Sequence, residues 1–324
     1  MCTAISFNSN GHYFGRNLDL EKRYSESVVI VPRMFAFNYR FIEREQSHYA
    51  MIGTAYVVDG YPLYYDATNE CGLSIAGLNF VGNSFLNSHP INTGINLAPY
   101  ELIPFLLGKF KTVEECKNVL KEINLIDEPF NPQLANSELH WIIADGERRI
   151  TFEYTRLGAE IYDNNVGVLT NNPPFCYQMM NLNNYINLTN KDPENSFAKG
   201  FELNIYSRGM GAIGLPGDLS SQSRFVKACY TKLNSVKPKS DLASVGQLFH
   251  ILGSVEQQEG SVMVGNSFER TQYTSCCDTE KGIYYYRTYE NSRISAIDMR
   301  KENLNSQDLI EYKMCWEQDV KYVN

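Results

Sequence analysis

No C-x-x-C pair occurs among the eight cysteines, at positions 2, 71, 116, 176, 229, 276, 277 and 315. None of them lies at zinc-ligand spacing from any of the five histidines (12, 48, 89, 140 and 250), so neither a metal nor another cofactor is expected. The chain also has no run of Lys and Arg, and its formal net charge is −8, which argues against nucleic acid or an anionic membrane as partner. A basic n-region followed by an apolar h-region is missing as well. The N-terminus turns polar at Asn8, so no secretory signal is expected. The longest apolar stretch, around residues 102–107, falls far short of the roughly 20 residues a membrane span needs. These absences point to a cytoplasmic protein with free, mostly buried thiols and no membrane insertion.

What is present is an ordinary globular composition. Of the 324 residues, 43% are hydrophobic and only 20% charged, enough for a large core and unlike a disordered chain. No repeat, low-complexity tract or linker breaks the pattern, so a single domain over residues 1–324 is expected.

The first third reads as β. Thr3, Ile5 and Phe7 alternate with Cys2, Ala4 and Ser6, and Asn8-Ser9-Asn10-Gly11 is a hairpin turn signal before a return strand over residues 12–17. A β-branched run at 28–31 stops at Pro32, and 61–66 and 73–80 flank a turn at 69–72. Helical periodicity follows at 99–110. Thr112 and Glu115 form a capping box opening a second helix to about 123. Strands return at 139–144, 150–155, 160–162 and 167–170. Helices are expected near 177–188, 221–233 and 245–256, then a meander at 272–277, 282–289 and 293–299. Residues 190–203 read as an exposed polar excursion. Strand blocks with helices clustered between them imply a layered α+β fold rather than a doubly wound sheet.

Cys2 is the residue with chemical meaning. Small second residues permit removal of Met1, which would leave a thiol beside its own α-amine. That amine has an ordinary pKa of about 7.7–8.0, so it can exchange a proton with the thiol near neutral pH without any histidine. A two-residue turn at Ser9-Asn10 pairs Cys2 with Asn17, and one at Asn10-Gly11 pairs it with Asp19. Either register brings Arg16 and Asp19 alongside, Arg16 to favour the thiolate and Asp19 to orient the amine. A conventional Cys–His protease is the competing chemistry and needs a histidine near a cysteine. A non-catalytic β-rich binding protein would lack Cys2 or Arg16.

With Met-Cys-Thr at 1–3 and Tyr13-Phe14-Gly15-Arg16-Asn17-Leu18-Asp19, the opening resembles that of the choloylglycine hydrolases, which include bile salt hydrolases and penicillin V acylases. The resemblance continues in order through Ala76-Gly77-Leu78-Asn79-Phe80, Leu139-His140-Trp141, the stretch from Gly167 to Pro173, Gly214-Leu215-Pro216-Gly217-Asp218, Ser223-Arg224-Phe225, Tyr273-Thr274-Ser275-Cys276 and residues 282–286. It implies a four-layer αββα sandwich of the N-terminal-nucleophile hydrolase type and a mature chain starting at Cys2. It also implies a homotetramer whose assembly loop falls at 190–203.

The implied catalytic set is Cys2, Arg16, Asp19, Asn79, Asn171 and Arg224. Cys2 attacks the amide, its α-amine protonates the leaving amine, and Asn79 stabilises the oxyanion. Asn171 bonds the amine or the substrate amide, and Arg224 supports the cysteine. The penicillin-acylase branch resembles a tyrosine-bearing variant at the Asn79 position, so asparagine favours conjugated bile acids as substrate, with penicillin V or another N-acyl amide as alternative. Leu18, Leu20, Tyr24, Tyr65 and Phe130 are the expected apolar walls for a steroid. The segment Ser207-Arg208-Gly209 resembles a taurine-leaning version of a specificity loop, with Arg208 placed to pair with a sulfonate.

Overall fold

In the computed structural model, which describes residues 1–324, the chain opens with strands β1 (Cys2–Ser9), β2 (Gly11–Leu20), β3 (Ser27–Val31), β4 (Met51–Val58), β5 (Tyr61–Asn69) and β6 (Ser74–Asn79). Next come β7 (Ile95–Leu97), α1 (Leu102–Lys109), α2 (Val113–Leu120), β8 (Ile123–Leu125), β9 (Leu139–Ala144), β10 (Arg149–Thr155), β11 (Gly158–Asp163) and β12 (Val168–Leu169). The last third holds α3 (Phe175–Asn181), α4 (Ser221–Leu233), α5 (Asp241–Gly253), β13 (Val262–Val264), β14 (Ser267–Asp278), β15 (Ile283–Thr288), β16 (Ser295–Asp298) and β17 (Ile310–Lys313).

Two large sheets face each other. The first has the order β12-β1-β2-β14-β15-β16, with β13 added to β14, and the second runs β11-β10-β9-β6-β5-β4-β3-β17. Helices α4 and α5 cover the first sheet, and α1 and α2 cover the second. The result is the αββα sandwich. Its inner core joins Ala4, Leu18, Ile52, Ala76 and Ile142 from the two sheets, while Phe225, Leu248 and Leu252 seal the first sheet from outside. Fully burying each such large side chain contributes about 1.5–3 kcal/mol.

The first hairpin is tighter than either expected turn. Gly11 adopts φ +109°, a region open to glycine, and the chain reverses around Asn10 alone, with Ser9 opposite Gly11. Cys2 therefore pairs with Leu18 and not with Asn17 or Asp19. The shift matters, because opposed residues share a face. Cys2, Ala4, Arg16 and Leu18 lie on one face of the sheet, and Thr3, Asn17 and Asp19 on the other. Asn17 donates to Leu252 O of α5, which marks its face as the helix side.

The second sheet splits. Strand β5 carries a bulge at Tyr65, and its pairing with β6 ends at Asp66–Ala76, while Gly77, Leu78 and Asn79 pair only with β9. The fork leaves the carbonyls of Tyr65 and Gly77 outside the β5–β6 ladder.

Several expected boundaries move. The helix expected at 245–256 begins at Asp241, and that expected at 177–188 is α3 followed by a 3-10 turn at Leu182–Tyr185. The Thr112–Glu115 capping box is present, with each side chain bonding the other's backbone. Residues 190–203 are exposed apart from the half-buried Pro193 and carry no helix or strand. No helix is long and apolar enough to cross a membrane.

Candidate active site

Cys2 begins β1 with its side chain buried, and its backbone nitrogen donates to Asn171 Oδ1 at 2.8 Å. Asn171 follows the end of β12, which pairs with β1, so the sheet itself delivers the two residues to one point. The same Oδ1 accepts from Arg224 Nη2 at 2.8 Å, and Asn171 Nδ2 donates to Asn79 O at 2.8 Å. One side-chain amide thus ties β1, β6 and α4 together. Its own backbone N–H donates to Ser221 Oγ, and Gln178 Nε2 reaches Asn171 O.

Arg224, in the first turn of α4, is fully buried. It donates to Cys2 O at 2.5 Å, Thr3 Oγ1 at 2.7 Å and Leu219 O at 2.9 Å. Its Nη1 also lies 4.0 Å from Asp19 Oδ2. Asp19 is equally buried and accepts from Thr271 Oγ1 at 2.6 Å and from Gln257 Nε2 at 3.4 Å. Burial raises the Asp19 carboxyl above its usual range, against the opposing pull of Arg224 and the N-terminal ammonium.

Asp19 does not hold the ammonium of Met1 with its carboxylate. That ammonium binds the backbone carbonyl of Asp19 at 2.7 Å and Glu269 Oε2 at 2.8 Å. The reason is the register. Asp19 lies on the helix side of β2, where its carboxylate meets Thr271.

Arg16 occupies the opposite face, with Cys2, and plugs the fork in the second sheet. Its Nη1 donates to Tyr65 O and to Gly77 O, both at 2.8 Å, while Nη2 is buried without a partner. Burial alone would lower the guanidinium pKa, but Cys2, Tyr273, Asp66 and Tyr284 together raise it above its already high ordinary value. Asp66 supplies the counter-charge from a cage of Tyr273, Tyr284 and Ser275 hydroxyls.

Above this floor lies a cavity of about 570 Å³, lined by Cys2, Arg16 and Asn79 together with Leu18, Leu20, Tyr24, Tyr65 and Phe130. All five expected apolar walls are brought to one place. Pro99, Tyr100, Ile103 and Trp141 line it as well. The volume and apolar lining suit a small amphipathic ligand. A second recess of about 670 Å³, between Asn291 and Asp319, holds none of the candidate residues.

Arg208 is the exception among the expected contacts. It is exposed and outside the cavity lining, because its segment turns at Gly209 (φ +83°) and packs back on Thr189 through Gly211 O.

Thr271, Gln257, Glu269, Gln178 and Ser221 have no counterpart in the sequence reading. They are polar residues on ordinary strands, helices and loops, and only the fold turns them inward. No histidine hydrogen-bonds a cysteine. His12 bonds Ser6 and Thr279, His48 two backbone carbonyls, and His140 Glu153 and Thr170 O. Burial lowers His12 to a pKa of about 4. The Cys–His protease arrangement is therefore absent.

Comparison with known proteins agrees with this geometry. The family model for linear amide C–N hydrolases, choloylglycine hydrolase family, matches residues 2–312. The chain is 50% identical over its whole length to a bile salt hydrolase/transferase of Lactiplantibacillus plantarum and 38% identical to one of Clostridium perfringens, with all of each chain covered. The crystal structure of the C2A mutant of the conjugated bile acid hydrolase from Clostridium perfringens superposes with a TM-score of 0.92 at 37% identity, again covering both chains fully. A penicillin V acylase from Agrobacterium tumefaciens shares the fold, with a TM-score of 0.75 at 19% identity over 96% of this chain and 91% of its own. The sandwich and its full-length relatives thus give one answer: the chain belongs to the choloylglycine hydrolase family.

Proposed function

We infer that this protein is a bile salt hydrolase, cleaving the amide bond of glycine- or taurine-conjugated bile acids with Cys2 as its nucleophile. One observation carries the reading: Cys2 stands at the floor of an aromatic-walled cavity with its backbone nitrogen anchored by Asn171. Once Met1 is removed, that nitrogen is the α-amine.

The chemistry then follows. The amine takes the thiol proton, and the thiolate attacks the amide carbon. Negative charge moves to the carbonyl oxygen, where the Asn79 side chain at the cavity wall donates, with a backbone N–H as second donor. Collapse of this intermediate breaks the C–N bond as the ammonium gives its proton to the leaving amine. An amide anion leaves too poorly to depart unprotonated. Water, deprotonated by the same amine, then attacks the thioester and releases the bile acid. Arg16 faces the thiolate, and Arg224 holds the cysteine carbonyl. Asp19 balances Arg224.

The domain is taken to span residues 1–324, the mature chain to start at Cys2, and the protein to act in the cytoplasm as a homotetramer joined through residues 190–203. Arg208 adjoins that loop, so any preference it confers for taurine has to act across an interface. A fall in the taurine-to-glycine turnover ratio in Arg208→Ala supports this role, and a parent that prefers glycine conjugates refutes it.

The deciding experiment combines intact mass with turnover of tauro- and glyco-conjugated bile acids and penicillin V. Mass lower by one methionine, bile-conjugate turnover well above that of penicillin V, and loss of activity in Cys2→Ala at unchanged Tm are expected. Full activity with Met1 retained overturns the mechanism. Penicillin V as the better substrate overturns the specificity.

A further inference from the structure

The Leu139-His140-Trp141 motif has no part in the chemistry above, yet its middle residue lies between the two site asparagines. His140 is fully buried on β9. Its ring stacks on Phe80, the residue after Asn79, with centroids 4.3 Å apart and planes 8° from parallel. Its Nε2 lies 2.8 Å from Thr170 O, the carbonyl just before Asn171. Its Nδ1 lies 3.1 Å from Glu153 Oε1, and the same oxygen accepts the Phe175 N–H at 2.9 Å.

One His–Glu pair therefore holds both ends of the turn from Thr170 to Phe175, in which Asn171 sits. A carbonyl oxygen cannot donate, so Nε2 carries a proton. The Nδ1–Glu153 contact holds a second proton, whichever partner owns it. The pair is then net neutral, and the Nε2–H bond has one sense only, toward Thr170 O. Such a contact has a defined direction and length, which a well-packed apolar residue would not impose.

We propose that His140, with Glu153, is a positioning residue that fixes Asn79 and Asn171 relative to the Cys2 nitrogen. The inference rests on the catalytic reading above, but not on the identity of the acyl group. Phe80 stacking sets the β6 end that carries Asn79, and the Thr170 bond sets the Asn171 end. The Asn171–Asn79 hydrogen bond closes the ring.

His140→Phe keeps an aromatic ring for Phe80 and removes both hydrogen bonds. With the concentration of active enzyme counted by thiol titration of Cys2, we expect kcat to fall about 10- to 100-fold, the scale of a displacement near 1 Å, while KM stays within about threefold. Glu153→Gln keeps an acceptor for Phe175 N–H and lets a neutral His140 still donate to Thr170 O, but its amide oxygen then faces the unprotonated Nδ1. It should lose severalfold less kcat than Glu153→Leu, which should lose as much as His140→Phe. Should His140→Phe not fold, the Gln and Leu pair at 153 gives the same comparison with the histidine in place. Parent-like kcat per active site in His140→Phe or Glu153→Leu overturns the proposal, as does a rise in KM alone or equal loss in both Glu153 variants. The assay uses whichever linear amide the parent cleaves, so a wrong substrate assignment and a wrong role for His140 are separate results.

Discussion

Arg224→Met tests the buried charge arrangement most directly. The guanidinium is fully buried and donates to Cys2 O, Thr3 Oγ1, Asn171 Oδ1 and Leu219 O. Methionine keeps much of the stem volume and strands those acceptors at about 1 kcal/mol each. It also leaves Asp19 without the charge that most opposes its burial. Breaking a buried pair in this way typically costs about 3–5 kcal/mol. The two contributions overlap, so a loss of about 4 kcal/mol is expected, a large part of a typical domain's stability.

The loss should depend on pH with a definite sign. Asp19 has a folded pKa raised above its unfolded value, so in that window the folded state binds more protons and stability falls as pH rises. Removing Arg224 pushes the folded pKa higher and widens the window upward. The gap between parent and variant is therefore smaller at pH 5, where Asp19 can be neutral, and larger at pH 8. Urea unfolding of both proteins at pH 5, 6.5 and 8 reads this directly, with carboxylates common to both cancelling in the difference. A gap that is constant or shrinks toward pH 8 refutes the coupling of Arg224 to Asp19.

Other perturbations separate chemistry from architecture. Asn79→Ala should lower kcat about 100- to 1000-fold with little change in Tm, since Asn171 uses the backbone carbonyl of Asn79 and not its side chain; a kcat within tenfold of the parent removes Asn79 as an oxyanion donor. Arg16→Lys puts one ammonium on a shorter stem in place of the Nη1 that donates to both carbonyls and of the uncommitted Nη2, so iodoacetamide labelling of Cys2 at pH 7 should slow severalfold and kcat should fall with it; unchanged labelling denies Arg16 its effect on the thiol. Gly15→Ala would place a Cβ 2.1 Å from Ser275 O, so β2 and β14 must part, and a loss of about 3 kcal/mol in urea unfolding is expected; a loss under about 1 kcal/mol shows that the strands yield easily.

Features visible in the sequence were those carried by local signals. The Thr112–Glu115 box and the limits of α4 depend on neighbours within a few residues, and they read correctly. The hairpin read correctly as a hairpin but not in register, because a left-handed Gly11 lets one residue close a turn where two are usual. The strands at 51–58 and 310–313 went unread. The second is a short edge strand whose partner, β3, lies almost the whole chain away. Among site residues, those joined to a motif were legible, while Glu269 and Thr271 were not. Polar residues in a strand look solvent-facing until β14 is placed beside β2 in the middle of a sheet. His140 was visible only as a motif, since its meaning lies in Glu153 and Thr170, which share no local pattern with it.

The two buried guanidinium groups bear on the proposed chemistry, in which a thiol reacts without a histidine. A buried cation normally forms a close pair with a carboxylate, and a close pair cancels its own field. Here the nearest partners of Arg16 are the carbonyls of Tyr65 and Gly77, and those of Arg224 are neutral oxygens too. Their counter-charges stand farther off: Asp66 is held by three hydroxyls, and Asp19 is 4.0 Å from Arg224. Neutral oxygens take up Arg16 Nη1 and the Arg224 N–H groups without removing the charge, so the potential of the two cations still reaches Cys2. On the proposed chemistry, a thiolate at Cys2 and the oxyanion that follows would meet two cations that no carboxylate contacts at hydrogen-bond distance. The fork between β5 and β6 makes this possible, because a fully paired sheet has no spare carbonyls at its centre to offer Arg16.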